Sequence, residues 1–387
     1  MNCKVVIALN AAWNLVNFRA GLIRALVAAG YEVVAVAPPD EYVPQLEQLG
    51  CRYVPLPMDN QGTHAGRDLL LFGRFWRLLA RERPAVYLGY TVKPNVFGSL
   101  AAHSLGIPVI NNIAGLGAVF IKDSWLTGFV RGLYRLALWR SAKVFFQNED
   151  DRRLFIEWKL VQSNVTDRLP GSGVDLAKFA AGAVSSLSAQ GRGGMRFLLV
   201  ARMLWDKGVG EYVEAARLVR SRHPTAEFCL LGPLDVQNPA AISRTQMEEW
   251  VAEGVVTYLG VTEDVRSHLA EADCVVLPSF REGVPRTLLE AAAMSRSIIT
   301  TNTTGCREVV DDGVNGLLCR VRDAENLAEK MEQMILLSRE ARIEMGRRGR
   351  EKTEREFDEK FVIQKYLDAI QEILGRRTWR PVHRCKS

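Results

Sequence analysis

Two groups of charged residues in the second half of the chain have the types and spacing for chemistry on a phosphorylated ligand. In ARMLWDKGVGEYVEAA, Arg202 and Lys207 follow an apolar run, and Lys207-Gly208 opens a helical pattern. Beyond a strand end, a helix N-terminus offers free N–H groups and the positive end of its dipole, which favour anions. Two cations there suit a diphosphate, since an arginine grips an oxyanion with paired bonds and a lysine acts as a point charge. Two solvated loop cations would give the same string.

The second group is Phe280-Arg281-Glu282-Gly283-Val284-Pro285, between an apolar run at 274–278 and a helical run at 286–294. Glu282 is expected at the loop tip, with the Gly283-Val284 backbone free to bind sugar hydroxyls. Glu290 lies eight residues on, followed by three alanines. A carboxylate in such an apolar setting needs a partner, and ribose hydroxyls could supply it. An ordinary helix glutamate is the bland alternative.

The elements that must position these residues alternate along the whole chain. Short apolar runs at 5–9, 32–37, 86–88, 109–110 and 144–147 read as strands, with helical patterns at 17–29, 69–81 and 95–105. Residues 181–194, AGAVSSLSAQGRGG, read as a linker. The pattern then restarts, with strands at 197–201, 228–232, 255–259, 274–278 and 298–301 and helices at 209–220, 263–272, 286–294, 323–337 and 357–374. Alternation of this kind predicts parallel sheets covered by helices on both faces. The expected organisation is an N-terminal α/β domain over 1–180, the linker 181–194, a second α/β domain over 195–356, a helix over 357–375 packing back toward the first domain, and a basic tail over 376–387. Two doubly wound domains would place a ligand cleft at their strand C-termini.

Composition narrows the chemistry further. The seven cysteines form no C-x-x-C pair and the five histidines are scattered, so neither disulfides nor a metal site are expected. No D-x-D occurs to hold a metal on a diphosphate. Residues 1–170 carry 19 Lys and Arg against 13 Asp and Glu, a surplus equal to the +6 of the whole chain. An anionic partner for that half, or a chance surplus on a solvated face, would account for it. Gly115-Leu116-Gly117 lacks the third glycine of a dinucleotide fingerprint. No apolar run reaches the ~18–20 residues of a membrane span, and the N-terminus has no secretory pattern.

Taken together, the motifs resemble those of glycosyltransferase family 4, the large family of retaining GT-B transferases. EGVPRTLLE matches its E-x7-E motif, Arg202 to Lys207-Gly208 its R-x4-K-G motif, and GCREVV with DGVNG its stretch farther on. Asn17-Phe18-Arg19, Thr91-Val92-Lys93-Pro94-Asn95 and Asn111-Asn112-Ile113-Ala114-Gly115-Leu116-Gly117 look like the branch that builds lipid-linked bacterial glycans. In place of the family's Gly-Gly loop after the first strand stands Asn10-Ala11-Ala12-Trp13-Asn14. The resemblance implies a GT-B fold: two Rossmann-like domains facing across a cleft. It implies that Arg202 and Lys207 hold a donor diphosphate, Glu290 the ribose, Gly283 and Val284 the donor sugar, and Glu282 the sugar near its anomeric carbon as the catalytic residue. Asn14, Asn17, Arg19, Lys93, Asn95, Gly115 and Gly117 fall on the acceptor side.

The activity so implied is retaining, metal-independent transfer of a hexose or N-acetylhexosamine from a UDP-sugar to an undecaprenyl-diphosphate-linked glycan, with no other cofactor and no nucleic acid. Glu282 would be a nucleophile or an orienting group. A nucleotide-sugar 2-epimerase or a non-catalytic nucleotide-sugar binder are the alternatives. Localisation would be cytoplasmic, peripheral at the inner membrane face. WLTGFVRGLYRLALWRSAK, residues 125–143, would be a core-packing helix with solvated arginines or an interfacial helix with Leu126, Phe129, Val130, Leu133, Leu136 and Ala137 on one face. The basic, aromatic tail at 376–380 could also meet an anionic bilayer.

Overall fold

The computed structural model describes residues 3–59, 65–115, 125–180 and 193–378. Most of the linker, the end of the basic tail and Gly117 lie outside them. The chain divides into two compact units, Met1–Ser172 with Glu359–Ser387, and Gly173–Asp358.

Unit 1 holds strands β1 (Lys4–Ala8), β2 (Glu32–Ala37), β3 (Arg52–Pro55), β4 (Val86–Tyr90), β5 (Val109–Ile113), β6 (Lys143–Phe146) and β7 (Thr166–Arg168). Its helices are α1 (Ala12–Ala28), α2 (Val43–Glu47), α3 (Ala65–Glu82), α4 (Ser99–Ser104), α5 (Trp125–Leu138) and α6 (Glu149–Glu157). Unit 2 holds β8 (Arg196–Val200), β9 (Glu227–Leu231), β10 (Thr257–Tyr258), β11 (Cys274–Leu277), β12 (Ser297–Thr301) and β13 (Leu317–Cys319). Its helices are α7 (Val209–Arg222), α8 (Arg244–Ala252), α9 (Arg266–Glu271), α10 (Arg286–Ala293), α11 (Ala324–Leu336) and α12 (Arg339–Glu356), and α13 (Glu359–Thr378) returns to unit 1.

Every paired strand runs parallel, in the order β3-β2-β1-β4-β5-β6-β7 in unit 1 and β10-β9-β8-β11-β12-β13 in unit 2. Each sheet is buried on both faces because successive side chains point to opposite sides. Val5 and Ile7 join the core under α1 and α13, while Val6 and Ala8 join that under α3 and α4. In unit 2, Cys274 and Val276 face α7 and α11, and Val275 and Leu277 face α10. Both sheets reverse order once, between β1 and β4 and between β8 and β11, and such reversals open crevices at the strand C-termini.

Four expectations change. The short strands β3, β7 and β13, and the helices α2, α6, α8 and α12, are not legible as elements; β3, for instance, buries only Val54 and shows no apolar run. The helix expected over 357–374 starts at Glu359, because Phe357 ends α12 and is buried in the unit 2 core. The helix expected over 95–105 opens with a π-turn, Pro94–Gly98, where the Tyr87 hydroxyl donates to the Pro94 carbonyl at 2.9 Å. On α5, the core takes Val130, Tyr134 and Leu138, while Phe129 and Leu136, expected on one face with Val130, stay exposed with Trp139.

Candidate functional site

The reversal between β8 and β11 in unit 2 carries the charged residues. After β8 the chain turns through a short 3-10 segment, Trp205–Lys207, and Gly208 adopts φ +73° before α7 begins. A side chain at Gly208 is doubly excluded: that φ suits glycine, and a Cβ would fall 2.1 Å from the Pro278 carbonyl oxygen. The close approach seats Lys207 against the loop that follows β11.

That loop is braced from three sides. The Phe280 N–H donates to the Asp206 carbonyl at 3.0 Å and the Glu282 N–H to the Thr304 carbonyl at 3.1 Å. Thr303 Oγ1 donates to the Phe280 carbonyl at 2.9 Å, and Arg322 stacks on the Phe280 ring at 4.5 Å. Gly305, at φ +84°, lets residues 282 and 283 pass where a Cβ would lie 2.2 Å from the Gly283 carbonyl oxygen. So the GCREVV motif buttresses the Glu282 loop.

Within this frame Lys207 Nζ meets Glu282 Oε1 at 2.5 Å, and Ser279 Oγ donates to the same oxygen at 2.8 Å. Both charged side chains are largely enclosed, 17% and 15% exposed. Glu282 is therefore not at an open loop tip; it is turned inward onto Lys207. Gly283 and Val284 are buried as well, so the turn is packed and not the exposed backbone edge expected. Arg202 is exposed, and its guanidinium makes no hydrogen bond or ion pair among the described residues.

Glu290 has found its partner on its own helix: Arg286 Nε donates to Oε1 at 2.9 Å, one turn away. Burial lifts its carboxyl above the usual carboxylate range, and Arg286 and Lys178 pull it partly back. The α10 register is fixed by Leu288 and Leu289 in the core and by Thr287 Oγ1 donating to the Val200 carbonyl at 3.1 Å. The structure thus brings together Lys207, Glu282 and Ser279, with Glu290 held by Arg286. Ser279 and Arg286 went unread in the sequence, although Arg286 stands at i−4 from Glu290, the spacing of a helical ion pair.

In unit 1 the residues read as acceptor-side separate. Asn95 is buried: Nδ2 donates to the Asn112 carbonyl at 2.8 Å, and Oδ1 accepts from Asn111 at 2.9 Å. Lys93 pairs with Asp68 at 3.0 Å. Asn14 donates to Asn10 at 2.9 Å and Asn17 to the Trp13 carbonyl at 3.0 Å, both on partly exposed α1. Gly115 takes φ +132°. Arg19 is buried on α1, in contact with Tyr90.

Residues 194–336 match a family model described as glycosyl transferases group 1, and residues 17–170 one described as glycosyl transferase 4-like domain. The chain is a glycosyltransferase, and its fold is that of the GT-B transferases. A Campylobacter jejuni N,N'-diacetylbacillosaminyl-diphospho-undecaprenol alpha-1,3-N-acetylgalactosaminyltransferase is 27% identical over 94% of this chain and 97% of its own. An Escherichia coli UDP-Gal:alpha-D-GlcNAc-diphosphoundecaprenol alpha-1,3-galactosyltransferase is 23% identical over 67% of this chain and 68% of its own. Among solved structures, a Rickettsia africae glycosyltransferase superposes with TM-score 0.79 at 15% identity, covering 96% of this chain and 99% of that one. Anabaena HepE in complex with UDP and glucose gives TM-score 0.75 at 18% identity, covering 96% and 100%. This glycosyltransferase has no helix, among the described residues, long and apolar enough to cross a membrane.

Proposed function

We propose that this glycosyltransferase moves a hexose or N-acetylhexosamine from a UDP-sugar to an undecaprenyl-diphosphate-linked glycan, with retention of configuration and without a metal. The observation that carries the reading is the enclosed Lys207–Glu282–Ser279 cluster at the strand reversal of unit 2. A diphosphate arriving there meets Lys207 and the unpaired guanidinium of Arg202, two cations that neutralise the charge developing on the leaving UDP. Glu282, anchored by Ser279, is then released from Lys207 and placed beside the donor sugar. Glu290 accepts the ribose hydroxyls. The acceptor hydroxyl attacks the anomeric carbon as the bond to the diphosphate breaks, and its proton passes to the leaving phosphate. The names of the Campylobacter and Escherichia relatives support the lipid-linked acceptor, and the UDP complex of the Anabaena protein supports the donor.

The acceptor is received by unit 1, where Asn14, Asn17 and Gly115 stay partly exposed beyond the strand C-termini. Membrane contact fits the exposed face of α5. Phe129, Leu136 and Trp139 are 53%, 55% and 70% exposed, and Arg135 and Arg140 are exposed among them. Apolar and aromatic side chains interspersed with arginines suit an anionic bilayer surface.

Calorimetry with UDP and no added metal tests the donor site. Micromolar binding that falls at least tenfold, about 1.4 kcal/mol, in Lys207→Ala supports it; no binding, or binding indifferent to that substitution, removes it. Glu282→Gln separates transfer from mere binding: turnover is lost while UDP binding stays. Normal turnover by that variant would refute the role given to Glu282.

A further inference from the structure

Unit 1 has its own strand reversal, between β1 and β4, and a buried arginine stands in it. Arg19 is 5% exposed. Its guanidinium carbon lies 4.5 Å from the centroid of the Tyr90 ring, the last residue of β4. One Nη donates to the Phe18 carbonyl at 3.1 Å, the buried Nε has no acceptor, and Arg19 enters no ion pair among the described residues. The neighbouring ring of Tyr366, from α13, lies 5.9 Å from that of Tyr90. Asn112, near the end of β5 and fully buried, donates from Nδ2 to the Tyr366 hydroxyl at 3.0 Å, while its Oδ1 has no donor among the described residues.

A guanidinium withdrawn from water is normally compensated by a carboxylate, since an unpaired buried charge is costly. A π-face offsets part of that cost but leaves the N–H groups unspent. Here a buried donor and a buried acceptor are both left over, linked through the rings of Tyr90 and Tyr366, at the kind of crevice where α/β sheets bind ligands. Unit 1 also carries the chain's positive surplus.

We propose that Arg19, Tyr90, Asn112 and Tyr366 form an oxyanion site that takes a phosphate of the acceptor. Arg19 supplies the missing charge, Tyr90 holds its plane, and Tyr366 fixes the Asn112 amide so that Oδ1 can accept from a hydroxyl of the attached sugar. The inference rests on the acceptor class proposed above. It adds Tyr90 from β4 and Tyr366 from the far C-terminus, which no motif pointed to.

The probe is inorganic diphosphate, titrated into the whole protein saturated with UDP so that the donor site is filled. The expected result is binding that weakens at least tenfold in Arg19→Met and several-fold in Tyr366→Phe, and that geranyl diphosphate displaces. No diphosphate binding to the UDP-saturated protein, or equal binding by the variants, overturns the site. If Arg19→Met does not fold, unchanged affinity in Tyr366→Phe overturns it. Diphosphate binding that geranyl diphosphate cannot displace overturns the acceptor assignment, because the pocket would then take only the free anion. Failure of the donor reading is separately visible, as UDP binding indifferent to Lys207→Ala.

Discussion

The contact between Lys207 and Glu282 makes a quantitative demand. A hydrogen bond involving a charged partner contributes about 1.5–3 kcal/mol when enclosed, whereas exposed ion pairs contribute roughly 0–1 kcal/mol. With side chains only 17% and 15% exposed and Nζ to Oε1 at 2.5 Å, the pair belongs nearer the first range. A cycle of wild type, Lys207→Met, Glu282→Gln and the double variant should therefore show a coupling of about 2 kcal/mol in the ligand-free protein. In melting experiments that corresponds to about 4–8 °C for a unit of this size. With UDP present the two single variants should part company. Lys207→Met loses at least tenfold in affinity, while Glu282→Gln binds UDP as tightly as wild type or better, since no carboxylate competes with the diphosphate for the ammonium. A coupling below about 0.5 kcal/mol, or UDP affinity lost equally in both variants, would refute this account of the site.

Three further outcomes are expected. Gly208→Ala forces a left-handed backbone on alanine, roughly 1–2 kcal/mol, and pushes a methyl into the Pro278 carbonyl. Its melting temperature should fall and its UDP affinity drop, and an unperturbed variant would show that Lys207 is not seated by this approach. Burial raises the Glu82 carboxyl, but hydrogen bonds from Arg52 and Lys4 outweigh it and leave it at about 2. Its contribution to stability is present above the unfolded value of about 4.3 and is lost as pH falls toward 2, so between pH 5 and pH 3 wild type should lose more melting temperature than Glu82→Gln. Trp139→Ser with Phe129→Ser should lower co-sedimentation with phosphatidylglycerol vesicles; equal recovery with neutral phosphatidylcholine vesicles would sink the bilayer assignment.

The sequence by itself determined the architecture and most of the residues of the candidate site, for a local reason. Alternating apolar runs and helical patterns specify parallel sheets because each strand must bury both faces. The Arg202, Lys207-Gly208 and Glu282–Glu290 motifs each lie on one strand–loop–helix segment, so their spacing survives folding. Short edge strands such as β3, with one buried residue, gave no periodic signal, and the junction of α12 and α13 was hidden because Phe357 is apolar in either setting. What only the tertiary structure decided was partnership across distance. Whether Glu282 faces solvent or Lys207 depends on Gly208 meeting Pro278 and Gly305 meeting Gly283, contacts between segments about 70 and 20 residues apart. Whether Asn95 reaches outward or spans to β5 depends on a π-turn that no pattern announces. The buried Arg19 is the clearest case: its surroundings come from α1, β4, β5 and α13, and a charge surrounded by residues up to 347 positions away cannot be recognised as unpaired until those elements are packed together.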